Sequence, residues 1–227
     1  MTTVRGPIRR YYIPYEVASH SSPEDIWISF LGGVYDITPL VAENSGVLVA
    51  PMLSAAGTDI SHWFDPKTRD VKTHMDPITN LEQPYLPMGR FLHTAPVEPV
   101  CNWDTSFGKP WWKDTKYLIG NLSVKPRVVR VKNVLTGQDD QLEVPSEEAV
   151  VEIRERYLEL NWHARSYTWK ALITVDGVSE FKELDLNLTL EDNGVMDESE
   201  SFDDHQIGQE VYVPVLAVYW NDDLTVA

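Results

Sequence analysis

The sequence predicts an α+β protein of two folding units, residues 10–79 and 117–227, joined by a connector rich in proline and tryptophan over 80–116. Three observations carry that prediction. An alternating run with a Gly-Gly turn near the start reads as a β-hairpin followed by a short helix. A middle stretch breaks up into prolines and aromatic residues. The remainder runs hairpin, amphipathic helix and further extended segments.

Ile26 to Leu31 alternate faces as a half-buried strand does, and Gly32-Gly33 ahead of Val34-Tyr35 supplies the positive φ angles that a two-residue hairpin requires. Thr38-Pro39 reads as an N-cap followed by proline at the first helical position, which opens a short helix over Leu40 to Glu43. The apolar-rich run Val47 to Gly57 contains Pro51 and is too short to span a bilayer. Between Asp76 and Lys116, prolines at 77, 84, 87, 96, 99 and 110 exclude a long helix and disfavour a central strand. Tyr85, Phe91, Trp103, Phe107, Trp111 and Trp112 are interleaved with them, so the segment is unlike a flexible Gly/Ser linker. It is expected either to pack between the units or to present aromatic anchors to a partner.

In the second unit, Val128 to Val134 and Gln141 to Val144 flank the turn signal Thr136-Gly137-Gln138-Asp139 and predict a hairpin. Ser146 is the candidate cap of the next helix, with Glu147 and Glu148 in its first turn, where the helix dipole favours acids. Val150, Ile153, Tyr157 and Leu160 recur at helical spacing. Tyr167 to Ile173 reads as a strand, Leu184, Leu186, Leu188 and Leu190 alternate as another, and Val211 to Trp220 is the last. Hairpin, helix and three extended segments is the order of a ubiquitin-like β-grasp. The stretch from Leu184 to Val195 also resembles the ubiquitin segment in which a Thr-Leu-x-Asp turn precedes the final strand. No Gly-Gly ends the chain, so this half is expected to act as an interaction module without conjugation.

Composition bounds the function. With 227 residues, 43% of them hydrophobic and 24% charged, the chain has the profile of an ordinary globular protein. Its single cysteine, Cys101, excludes an internal disulfide framework and any cysteine zinc site, so the chain reads as intracellular, and a cytoplasmic location is expected. Met1 to Arg10 is basic and polar with no apolar stretch behind it, and the chain ends in Asn221 to Ala227, so neither a signal peptide nor a tail anchor is expected. Net charge is −16, and residues 111–227 hold 11 Lys and Arg against 23 Asp and Glu. Such a field repels nucleic acid and anionic membrane, which are not expected partners. Asp197 to Asp204 offers little apolar surface and is expected to be a mobile loop. No Gly-rich phosphate loop or His-Glu-x-x-His pattern is present, and no enzyme is expected.

The run from Ser22 to Thr38, Ser-Pro-Glu-Asp-Ile-Trp-Ile-Ser-Phe-Leu-Gly-Gly-Val-Tyr-Asp-Ile-Thr, resembles the opening of the cytochrome b5-like haem-binding domain. Ala55-Ala56-Gly57-Thr58-Asp59-Ile60-Ser61-His62-Trp63-Phe64 resembles the second ligand-bearing helix pair of that family. The resemblance implies haem as cofactor and two axial positions. At the first, where the family carries His-Pro-Gly-Gly, this chain reads Asn44-Ser45-Gly46-Val47, so Asn44 stands at the axial position as a weak ligand. At the second, the resemblance implies His74 as the iron ligand, displaced by the insert Pro66-Lys67-Thr68-Arg69-Asp70 on an enlarged loop, with His62 as the rival. Met52 and Met75 are the nearest thioethers.

A wider set of motifs resembles the cytochrome b5 domain-containing protein 1 family. They are Pro23-Glu24-Asp25, Gly33-Val34-Tyr35-Asp36, the run Asp59 to Asp70, Phe107-Gly108-Lys109-Pro110-Trp111-Trp112, Ser166-Tyr167-Thr168-Trp169-Lys170 and Asn221-Asp222-Asp223-Leu224-Thr225. That resemblance implies a non-catalytic component of the ciliary axoneme, a cytoskeletal location, axonemal and radial-spoke partners, and haem coupling redox state to ciliary beating. A soluble b5-like electron carrier is the alternative, and the lost histidine counts against it. Microtubule surfaces are acidic, so direct microtubule binding is not expected of a chain this negative. Attachment is expected instead through Trp103 to Trp112 and the acidic half, with basic partner surfaces opposite the latter.

Overall fold

The computed structural model describes residues 10–98, 100–101, 103–175, 177–208 and 213–220. The motif Asn221 to Thr225, and Val211 and Tyr212 of the expected last strand, lie outside them. The chain divides into two units, Met1–Leu122 and Ser123–Ala227.

The first unit runs β1 (Tyr11–Tyr12), α1 (Pro14–Ser19), β2 (Ser21–Ser22), β3 (Asp25–Phe30), β4 (Gly33–Asp36), α2 (Thr38–Glu43), α3 (Ala50–Ser54), β5 (Thr73–Met75), β6 (Glu82–Pro84) and β7 (Leu118–Leu122). Its main sheet has the order β1-β7-β4-β3-β2, and β5 pairs with β6 in a separate ribbon. The β3–β4 hairpin turns one residue earlier than the glycine pair suggests. Phe30 pairs with Gly33, leaving Leu31-Gly32 as the two-residue loop with φ of 48° and 79°, the positive pair that a type I′ turn needs. Gly33 lies in the strand instead, where a Cβ would sit 2.8 Å from the Tyr35 ring. Thr38 does not cap α2 with its side chain. Its Oγ1 accepts the N–H of Ile26 at 2.9 Å, tying the helix start to β3, while Asp36 accepts the N–H of Thr38 at 3.0 Å.

The expected connector 80–116 is part of this unit. β7 pairs antiparallel with β4, Val34 opposite Gly120, and parallel with β1, Tyr11 opposite Asn121. Without it, β4 would expose an unpaired edge. Trp111 is fully buried and Trp112 is 7% exposed, in one core with Phe30, Phe64 and Phe91. Trp111 meets Phe30 edge-on at 5.8 Å and Phe64 at 6.1 Å between ring centroids. The proline-rich stretch therefore supplies core volume, while β7, from the start of the expected second unit 117–227, supplies the last strand, and the boundary falls after Leu122 rather than at 116. Buried in this way, Trp111 and Trp112 are not free to serve as partner anchors. Of the other aromatics of that segment, Phe91 is buried in the same core, Tyr85 is exposed, and Trp103 and Phe107 are half-buried: Trp103 lies under Arg90, and Phe107 stacks on His93 at 4.2 Å.

His93 gives the segment a titratable tie. Its Nδ1 accepts the N–H of Trp111 at 3.0 Å, a bond only the neutral ring can make, and burial first, then the nearby Lys116, hold its pKa below the usual histidine value. The unfolded chain protonates first as pH drops, so this contribution is present above about pH 6.5 and is lost as pH falls through the lower folded value. In His93→Gln, whose amide oxygen can accept the same bond without titrating, the acid-side slope of unfolding free energy should be shallower than in the parent. Equal slopes would show that His93 does not carry it.

The second unit runs β8 (Pro126–Asn133), β9 (Asp139–Pro145), α4 (Val150–Tyr157), β10 (Tyr167–Val175), β11 (Val178–Glu183), α5 (Ser199–Asp204) and β12 (Val215–Trp220). The sheet order is β11-β10-β12-β8-β9, with the central β12 parallel to β8 and antiparallel to β10. Val150, Ile153 and Tyr157 of α4 are fully buried against Val129, Val131, Trp169, Leu216 and Val218. Leu160 lies beyond the helix and is exposed. Glu152 closes the helix start by accepting the N–H of Ala149 at 2.9 Å, whereas the expected cap Ser146 donates to the Lys125 carbonyl. The leucine alternation from 184 to 190 is not a strand. Asn193 gathers that stretch into turns, its Oδ1 accepting the Asp185 N–H at 2.7 Å and its amide donating to the Thr189 carbonyl at 2.8 Å. Residues 199 to 204 form α5 rather than a loop, beside an ion pair between Lys125 and Asp197 at 3.1 Å.

Candidate haem-binding site

Asn44 ends α2. The helix stops because the backbone at Asn44 turns extended (φ −124°, ψ 147°), and its side-chain amide folds back to donate to the Leu40 carbonyl at 2.8 Å. One of the carbonyls that every helix end leaves open is satisfied in this way. The amide is thus engaged in ending its own helix, and the half-buried Asn44 carries no strong donor for iron.

His74 lies on β5, not on a loop. It pairs with Gln83 of β6, is exposed, and meets Tyr85 edge-on at 6.3 Å. Asp76 builds the tip of this ribbon, its Oδ1 accepting the N–H groups of Ile78 at 2.7 Å and Thr79 at 2.8 Å, a local bonding habit of aspartate in turns. The insert expected to enlarge a loop before His74 is itself ordered by Asp65, which accepts from Lys67 and Thr68, both at 2.8 Å. His62 is exposed on a short 3-10 turn, Ser61–Trp63, with its ring edge-on to Trp63. Of the thioethers, Met52 is buried in the core, and Met75 follows His74 in β5 and so points to the opposite face of the ribbon.

Between these residues the first unit is filled by aromatic side chains. Phe30 stacks on Tyr35 at 4.2 Å and on Phe64 at 4.6 Å, and Trp63 stacks on Phe91 at 5.1 Å. Trp63 and Trp111 bury their indole N–H groups without a protein acceptor, each at a cost of roughly 1–3 kcal/mol. One open cavity of this unit is lined by Tyr35, Thr68, Arg69 and Trp112 among others, and by neither Asn44 nor His74. Among the described residues no three His, Cys, Asp or Glu side chains gather as a metal site. An exposed imidazole on a ribbon and an engaged amide do not fit an enclosed haem with two strong axial ligands.

Residues 14–122 match the family described as Cytochrome b5-like Heme/Steroid binding domain, a span that takes in the proline-rich segment and β7. The first unit is therefore a b5-like haem/steroid-binding domain by family, and haem is its candidate cofactor. Over nearly its full length the chain is 51% identical to cytochrome b5 domain-containing protein 1 of Xenopus laevis, across 222 residues covering 97% of this chain and 99% of that protein. The human protein of the same name is 48% identical over 218 residues, 96% of this chain and 92% of its own. A Delta(8)-fatty-acid desaturase of Helianthus annuus is 38% identical over 56 residues, 25% of this chain and 12% of that enzyme. The chain belongs to the cytochrome b5 domain-containing protein 1 family. Among the described residues no helix is long and apolar enough to cross a membrane.

The donor set makes a spectroscopic prediction. Titrating the purified protein with haemin should not produce a symmetric low-spin bis-histidine spectrum, and any Soret shift should be lost in His74→Ala. A bis-histidine spectrum that persists in His74→Ala would move the axial role to His62.

Proposed function

We propose that this protein is a non-catalytic structural and regulatory component of the ciliary axoneme, associated with radial spokes, whose b5-like unit serves redox control of beating. Haem is the cofactor that the family implies for that role, and His74 is the residue proposed to contact it, at an open site with one strong ligand rather than in an enclosed two-ligand pocket. The second unit acts as a ubiquitin-like β-grasp interaction module. Its strand order supports that reading: a hairpin, a covering helix, and a last strand inserted at the sheet centre beside the first, parallel to it.

The observation that carries the proposal is the match across both units at 48–51% identity, so the pairing of a b5-like unit with this second unit belongs to the family as a whole. An electron carrier of the b5 kind wants two strong axial ligands, which the engagement of Asn44 disfavours. A net charge of −16 opposes direct contact with acidic microtubules, so attachment would run through other axonemal proteins. Sedimentation with bare microtubules beside recovery in isolated axonemes tests this. The protein should stay in the supernatant with microtubules alone and be recovered with axonemes, and the reverse pattern would overturn the proposal.

A further inference from the structure

An exposed strand edge offers its unpaired N–H and C=O groups to any further strand, and proteins blunt such edges with shortness, proline, bulges or charge. In the main sheet of the first unit the edge strands β1 and β2 are only two residues long. In the second sheet one edge, β9, holds Asp139, Asp140 and Glu143 with no basic residue and ends at Pro145. The other edge, β11, is different. It runs six residues, contains no proline, and pairs with β10 from Lys170 opposite Glu183 to Val175 opposite Val178 without a bulge. Every residue of it is exposed, and its charges are of both signs: Glu180, Lys182 and Glu183.

The order of side chains along β11 is complementary to itself. When two copies of a strand pair antiparallel in one continuous sheet, a two-fold axis stands perpendicular to the sheet and one residue faces its own copy. Any other register would set side chains from opposite faces against each other. Two registers keep five of the six residues paired, those centred on Glu180 and on Phe181. The first sets glutamate on glutamate. The second sets Glu180 opposite the partner's Lys182, Lys182 opposite the partner's Glu180, and Ser179 opposite the partner's Glu183, so that opposite charges meet. Among the described residues neither Glu180 nor Lys182 makes an ion pair within its own chain. Phe181 stands opposite Leu172 of β10, the two being 54% and 55% exposed, so the same register joins both residues and their copies into one apolar row across the axis.

We propose that β11 is a self-association edge whose occupant is a second copy of this chain, paired antiparallel across a two-fold axis at Phe181 so that two five-stranded sheets become continuous. Backbone hydrogen bonds make the pairing, the Phe181 row supplies the apolar contact, and the two symmetry-related pairs of Glu180 with Lys182 set the register. The net charge of −16 on each chain opposes close approach at long range. The dimer therefore gains population with concentration and is specified by its register rather than by a large buried area. Self-pairing at this edge is independent of where in the cell the protein resides.

Sedimentation equilibrium of the full-length protein across a concentration series tests this, and the parent should show a monomer–dimer equilibrium. Glu180→Lys and Lys182→Glu should each weaken dimerisation about ten-fold or more, because the symmetry turns two attractive cross-strand pairs into two repulsive ones. Net charge alone predicts otherwise, since Glu180→Lys lowers the negative charge of the chain and would strengthen association. The double variant Glu180→Lys/Lys182→Glu, whose net charge equals that of the parent, should dimerise like the parent. An equimolar mixture of the two single variants should associate more tightly than either alone, as heterodimers in which unlike charges again meet. Circular dichroism should show every variant folded, because the altered side chains are exposed. A parent that stays monomeric throughout would overturn the proposal and leave the edge to a strand of another protein. So would a dimer that both single exchanges leave unchanged, or a mixture that associates no better than its components.

Discussion

Trp111→Ala is expected to abolish the native fold of the first unit and leave the second intact. Trp111 is fully buried, with Phe30, Phe64, Phe91 and Trp112 all within 6.2 Å of it between ring centroids. Emptying such a site removes the transfer free energy of the largest side chain and leaves a cavity, together about 3–5 kcal/mol, much of the stability of a small domain. Near-ultraviolet circular dichroism and urea unfolding should show the loss confined to signals from residues 10–122. Replacing half-buried Trp103, which lies under Arg90, should cost far less. A Trp111→Ala protein with unchanged urea midpoints would return the tryptophan pair to the role of surface anchors.

Glu148→Ala is expected to be the corresponding lesion in the second unit. Glu148 is 3% exposed and accepts two hydrogen bonds from Arg156, at 2.7 and 2.8 Å, bracing α4 from the turn that precedes it. Removing the carboxylate takes two charge-assisted hydrogen bonds from the Arg156 side chain, which is only 16% exposed. Breaking a buried pair in this way costs about 3–5 kcal/mol, whereas replacing both partners with apolar residues costs much less. The single variant should lower the unfolding free energy of the second unit by that amount, and Glu148→Leu/Arg156→Met should recover part of it. A loss below about 1 kcal/mol, the worth of a surface pair, would show that the pair is solvated.

What the sequence made legible was whatever has a strong period. α4 stands where helical spacing puts it because it buries one face against its own unit, and the first hairpin stands within one residue of where alternation puts it although both of its faces are covered. β11 escaped notice for the opposite reason. Val178 to Glu183 is exposed along its whole length and has no apolar face to read, so β10 alone defines it by pairing. The leucines at 184 to 190 mimicked a strand, but the side chain of Asn193 competes for their backbone groups and wins. β7 was hidden among prolines. Leu118-Ile119-Gly120-Asn121-Leu122 is short and half-buried, and its role is visible only once β1 and β4 lie on either side. Within the candidate site, family spacing brought forward Asn44 and His74. The hydrogen bond that engages Asn44 and the ribbon that exposes His74 both depend on contacts that no spacing rule records.

Equilibrium urea unfolding of two fragments, residues 1–122 and residues 1–79, tests the central claim most directly: the proline- and tryptophan-rich segment completes the b5-like unit rather than linking it to the next. Residues 1–122 should unfold in one cooperative transition with tryptophan fluorescence buried in the native state. Residues 1–79 should show none, having lost β7, Phe91, Trp111 and Trp112 from the sheet and core. A cooperative transition in residues 1–79 alone, with a midpoint matching that of the longer fragment, would contradict the account.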